Sequence, residues 1–120
     1  MIDLSVLTGL AGIDIGALAD KPTTLTPGQT EAATSLWTSP DGTLDIGIWE
    51  CTPGRFTADR SEAAEFCYFL EGKIVMTQLD GTRRTLRAGD AIMLPLGWKG
   101  TWEILEHTRK IYVFSTTPKL

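Results

Sequence analysis

After residue 20, apolar and polar residues alternate mostly with a period of two, in short runs broken by Gly, Pro and Asp. That pattern predicts strands and turns rather than helices. "ATSLWTS" (33–39) reads as a first strand stopped by "PDG" at 40–42, and "TLDIGIWEC" (43–51) as a second, ended by Pro53–Gly54. "EFCYFLEG" (65–72) is aromatic and apolar and should turn at Gly72, with "KIVMTQLD" (73–80) following. Asp80–Gly81 is the strongest hairpin signal, because both residues tolerate the positive φ of a type I′ turn. "TRRTLRA" (82–88) returns, Gly89–Asp90 turns again, and "AIMLP" (91–95) is a short buried strand. "GTWEILEH" (100–107) and "RKIYVFS" (109–115) form a final pair. Ahead of these, residues 1–20 are expected to hold a short helix or loop, and Pro- and Thr-rich 21–31 an extended connector. No long amphipathic helix follows residue 20, and no repeat or low-complexity tract interrupts the pattern.

About eight short strands predict an all-β sandwich, jelly roll or small barrel. Closing the sheet removes exposed strand edges and leaves an interior lined by every second residue, with a mouth for a ligand. A chain of 120 residues should make one domain, with a segment and connector over 1–32 and the barrel over 33–115.

Composition narrows the partners. A net charge of −4 argues against nucleic-acid binding, which needs clustered Lys and Arg. Arg83, Arg84 and Arg87 do cluster, but beside the Asp80–Gly81 turn, where a solvated hairpin edge accounts for them. Asp3, Asp14 and Asp20 break up the apolar patches of residues 1–20, so neither an export signal nor a membrane span is expected. A cytoplasmic location follows, and with it two reduced thiols, Cys51 and Cys67, which are not in a C-x-x-C pair.

Two stretches, "PGRFTADRSEAAEFCYFLEG" and "LRAGDAIMLPLGWKGTW", resemble the paired motifs of the cupin superfamily, the RmlC-like jelly rolls. Glu65 and Gly72 match the Glu-to-Gly spacing of the first motif, and Gly89, Pro95 and Gly97 the register of the second. The resemblance covers residues 43–115 and implies a cupin double-stranded β-helix. "GIWECTPG", "EFCYFLEG" and "AGDAIMLPLGWKGTWEILEHTRKIYV" are similar more narrowly to small cupins of the ethanolamine-utilisation and ureidoglycine aminohydrolase subfamily. That likeness implies small polar ligands bearing amine or carboxylate groups.

The departures bear on function. The two first-motif histidines fall on Ala58 and Arg60, or with one residue of slack on Asp59 and Ser61, and the third falls on Gly100. Of the four usual ligands only Glu65 survives, and one carboxylate holds a divalent metal weakly. No metal or other cofactor is therefore expected. The alternative is a metalloenzyme with non-standard ligands drawn from Glu65, Cys51, Cys67 and His107.

Strand alternation puts Glu65, Cys67 and Phe69 on one face, Trp49 and Cys51 on another, and Lys110, Tyr112 and Phe114 on a third. Register leaves open whether Lys110 or its neighbour Arg109 faces inward. Glu65 with Lys110 is the candidate acid–base pair, or a clamp for a charged ligand. Trp49, Cys51, Cys67, Phe69, Trp98, Trp102 and Tyr112 are the candidate pocket wall. A non-catalytic binding module needs only the wall. Four Trp in so short a chain also suggest a homodimer, with the N-terminal segment packing across the interface.

Overall fold

The computed structural model describes residues 4–116, and every named element in it is a β-strand. The strands are β1 (Ala19–Asp20), β2 (Thr30–Thr38), β3 (Leu44–Cys51), β4 (Gly54–Asp59), β5 (Ala64–Gln78), β6 (Arg83–Arg87), β7 (Ala91–Leu94) and β8 (Lys99–Ser115). All pairings are antiparallel, in the order β1-β2-β3-β8-β5-β6, with β4 added to β8 and β7 to β5. Among the described residues no helix is long and apolar enough to cross a membrane.

β5 and β8 are the frame. Their first and second halves serve two layers. Residues 108–115 of β8 lie between β3 and the first half of β5, which also carries β7. Residues 99–104 of β8 lie between β4 and the second half of β5, which also carries β6. The core fills the space between these layers. Trp102 is at its centre, with ring centroids 5.4 Å from Phe56, 5.8 Å from Trp49 and 6.2 Å from Phe69. Ile74, Met76, Leu86, Leu94 and Ile104 complete it.

Several sequence expectations change. The predicted strands 65–72 and 73–80 are one strand, and so are 100–107 and 109–115. Gly72 is therefore no turn: the β5–β8 register shifts around it, and the strand bends there. "GRFTAD", which the sequence pattern assigns to no element, is β4, with Phe56 and Ala58 inward and Arg55, Thr57 and Asp59 outward. The Asp80–Gly81 hairpin exists, but only Gly81 has positive φ (90°), so a type I′ turn is ruled out. Gly81 N–H donates to Gln78 and Gln78 N–H to Thr82, which is a turn closed by a glycine bulge. Residues 4–18 contain no helix, only a turn near Gly9–Gly12; residues 1–3 of that expectation lie outside the described residues.

Candidate functional site

Inward-facing residues of the first layer meet in register. Trp49 on β3 and Phe69 on β5 flank Lys110 on β8, and Gly47 and Cys67 flank Tyr112. Gly47 is needed there: a Cβ would run into the Tyr112 hydroxyl and the Thr34 carbonyl. Lys110 points inward, its Nζ 4.5 Å from the Trp49 ring centre and 4.2 Å from that of Trp102. Arg109 faces the other way. Its guanidinium donates to the Leu10 and Ile13 carbonyls and to Glu50, and so ties the N-terminal segment to its own barrel.

Glu65 is the hinge of the site. Its Oε2 accepts from Lys110 Nζ at 2.7 Å, and its Oε1 from Arg60 Nε at 2.9 Å, with the second Arg60 nitrogen at 2.7 Å. The Glu65 and Lys110 side chains are 1% and 4% exposed. Burial pushes the Glu65 carboxyl up. The charges and hydrogen bonds of Lys110 and Arg60 together outweigh that and hold it below its ordinary range. The group is a carboxylate at neutral pH, and both of its oxygens are engaged.

This cluster ends a cavity of about 230 Å³. Its walls are the rings of Trp49, Phe56, Tyr112 and Phe114. A second ion pair, Lys21 to Glu31 at 2.7 Å, stands on it, and Glu31 also accepts from the Trp49 indole at 2.8 Å. Lys21 lies over the Phe56 ring at 4.1 Å.

The structure brings Glu65, Lys110, Trp49 and Tyr112 to one cavity. Trp102 touches it through Lys110, from the core. Its indole N–H has no partner among the described residues. Cys51, Cys67 and Phe69 are fully buried in the core and are not in the cavity lining. Burial drives both thiols up to about 12, so neither supplies a thiolate near neutrality. Trp98 packs at the far layer, its indole donating to Gln78. Six lining residues lie outside the candidate set that the sequence suggests: Lys21, Glu31, Ala33, Phe56, Arg60 and Phe114, the last of which alternation places only on the face of Lys110 and Tyr112. Arg60 had a signal, since it occupies a histidine position of the cupin pattern. Phe56 lies in β4, the strand that the sequence pattern does not mark. Lys21 and Glu31 lie at opposite ends of the connector, which the short β1–β2 pairing folds back.

The family pattern implies a metal, and the residues here do not fit one. Ala58 and Gly100 are cross-strand partners, so two of the imidazole positions face each other empty of donors. A Cβ at Gly100 would strike the Thr77 carbonyl and the Trp98 ring. His107 is on the opposite face, 3.2 Å from Glu50. Among the described residues, no three His, Cys, Asp or Glu side chains gather as a ligand set.

Comparison with known proteins decides the family. The EutQ-like cupin domain matches residues 38–112. The chain is a EutQ-like cupin. Among solved structures it is similar to the EutQ protein of Clostridium difficile, at 25% identity and TM-score 0.67 over 78% of this chain and 73% of that one. A DUF861-family protein of Thermotoga maritima is 37% identical over 54% of this chain and 73% of that one, at TM-score 0.52. A DUF861-family protein of unknown function from Pseudomonas syringae shares the fold at TM-score 0.72 and 23% identity, over 83% of this chain but only 43% of its own. No curated protein matches the chain.

Proposed function

We propose that this EutQ-like cupin is a small-molecule-binding protein whose barrel cavity takes a compact polar organic ligand without a metal. The observation that carries the reading is Glu65, buried at the inner end of an aromatic-walled cavity and clasped at both oxygens by Lys110 and Arg60. Buried charges are costly, and where they cluster in a cleft they mark candidate functional sites. The aromatic wall supplies apolar contact, and the charged end supplies orientation. A metal would have to draw Glu65 away from two cations.

Amide-resolved NMR of tag-free, chelator-treated protein tests this. A panel of small organic acids, amines and amides should contain binders whose shifts concentrate on Trp49, Phe56, Arg60, Lys110 and Tyr112. Binding that appears only after Mn, Fe, Ni or Zn is added back, or shifts confined to the outer surface, would sink the reading.

A second copy of the chain is the proposed partner. The outer face of the first layer carries Phe66 and Met93 as cross-strand partners, with Tyr68 beside them, and all three are exposed. An apolar patch continuous across paired strands suits a symmetric contact. Light scattering at micromolar concentration should give about twice the 13.1 kDa chain mass. A mass of one chain would contradict the pairing.

A further inference from the structure

The cavity carries one unbalanced positive charge. Among the described residues, three cations reach it, Lys21, Arg60 and Lys110, against two carboxylates, Glu31 and Glu65. The chain as a whole has a net charge of −4, so the cavity runs against the overall sign. Lys21 and Glu31 cancel as a pair. The surplus therefore sits at the inner end, where one carboxylate serves two cations.

Donor capacity points the same way. An ammonium has three N–H groups, and Lys110 gives one hydrogen bond, to Glu65. A guanidinium has five, and Arg60 uses its Nε and one terminal nitrogen on Glu65 and the other on the Asp59 carbonyl. Together the two groups have more donors left over than Glu65 has acceptor sites, since it already accepts from both of them. The other nearby acids do not redress the balance. Asp45 accepts from Ser35 and from the Tyr112 hydroxyl at 3.5 Å, and is not among the lining residues. Asp59 is exposed and bonded to Ser61.

We infer that the ligand is a compact monocarboxylate with a flat apolar body, its carboxylate received by Arg60 and Lys110 and its body held between the aromatic walls. A carboxylate matches the planar fork of a guanidinium. At the inner end an amine would meet two like charges and a single carboxylate that already accepts from both of them. The cavity, about 230 Å³, is below the size of pockets for drug-sized ligands, ~300–1,000 Å³, so the body is small. This inference rests on the small-molecule reading above and adds the sign and shape of the ligand.

Benzoate, benzyl alcohol and benzylamine share one ring and differ in the charge of the head. Each is titrated at neutral pH into the full chain, followed by amide NMR and by tryptophan fluorescence, which Trp49 in the wall reports. Benzoate should bind at least about tenfold tighter than either other probe. Arg60→Met should reduce benzoate affinity about tenfold and benzyl alcohol affinity by clearly less, with thermal melting to confirm the fold. If that variant does not fold, the ranking on the native protein decides alone. Benzylamine or benzyl alcohol binding in the cavity as tightly as benzoate overturns the inference and leaves the small-molecule reading standing. No cavity shift with any probe overturns both.

Discussion

Glu65→Gln should destabilise the protein by about 3–5 kcal/mol, the cost of removing one member of a buried ion pair. The variant leaves Lys110 and Arg60 beside each other with no anion between them, and Lys110 is only 3% exposed. Against a total stability of ~5–15 kcal/mol for a domain, this is a large share. Lys110→Met should cost less, because Arg60 still holds Oε1 of Glu65. The double variant should lose less than the sum, by about 1–3 kcal/mol, since neither charge is then stranded by loss of the other. Urea unfolding of the four proteins measures the cycle. Strict additivity would show that the two groups do not share a site.

The same pair gives the protein an acid limit of known sign. The folded-state pKa of Glu65 lies below its ordinary 4.5. Its contribution to stability is therefore complete above that ordinary value and is lost as pH falls through the lower folded value. The advantage of the native protein over Glu65→Gln should accordingly be constant near neutrality and shrink below about pH 4.5.

The architecture was legible because turn residues and period-two alternation report backbone geometry directly. Glu65, Gly72, Gly89, Pro95 and Gly97 were enough to place the cupin frame. Half of the site was legible for a related reason: the cupin position of Glu65 faces it inward, and alternation groups Trp49 with Cys51 and Lys110 with Tyr112 on their own strands. Arg109 and Lys110 could not be separated by alternation alone, since both are largely buried on opposite faces. The other half was hidden by distance along the chain. Lys21 meets Glu31 only because β1 pairs with β2, and Phe56 enters only because the weakly apolar "GRFTAD" joins β8. The thiols were misplaced for a different reason. Cys51 and Cys67 do face inward, but the interior is filled around them by Trp102, Phe69 and Leu94, and the cavity begins only beyond that packing. Inward direction alone does not distinguish core from cavity wall.

Gly72 shows the same difference between a motif and its physical cause, and it yields the second large effect. The glycine looks like a turn residue in sequence, yet it sits inside β5 with φ of 109°. An added Cβ would stand 2.7 Å from the backbone of Thr108 and closer still to its hydroxyl. Thr108 is fully buried and its hydroxyl is committed to the Glu106 carbonyl, so it has no room to retreat. Gly72→Ala therefore meets two penalties: strain at positive φ, ~1–3 kcal/mol, and a backbone clash between the two longest strands. Gly81 separates them, because it has φ of 90° with nothing within 4 Å of an added Cβ. Gly81→Ala should show the strain alone, and Gly72→Ala should exceed it by about 1–3 kcal/mol in urea unfolding. Thr108→Ala should relieve only part of the excess, because the clash with the main chain at position 108 remains. Equal costs at positions 72 and 81 would mean that the strands do not press together there. A bend displaced at 72 also re-aims the half of β5 that carries Glu65, so folded Gly72→Ala protein should bind cavity ligands more weakly than folded Gly81→Ala protein.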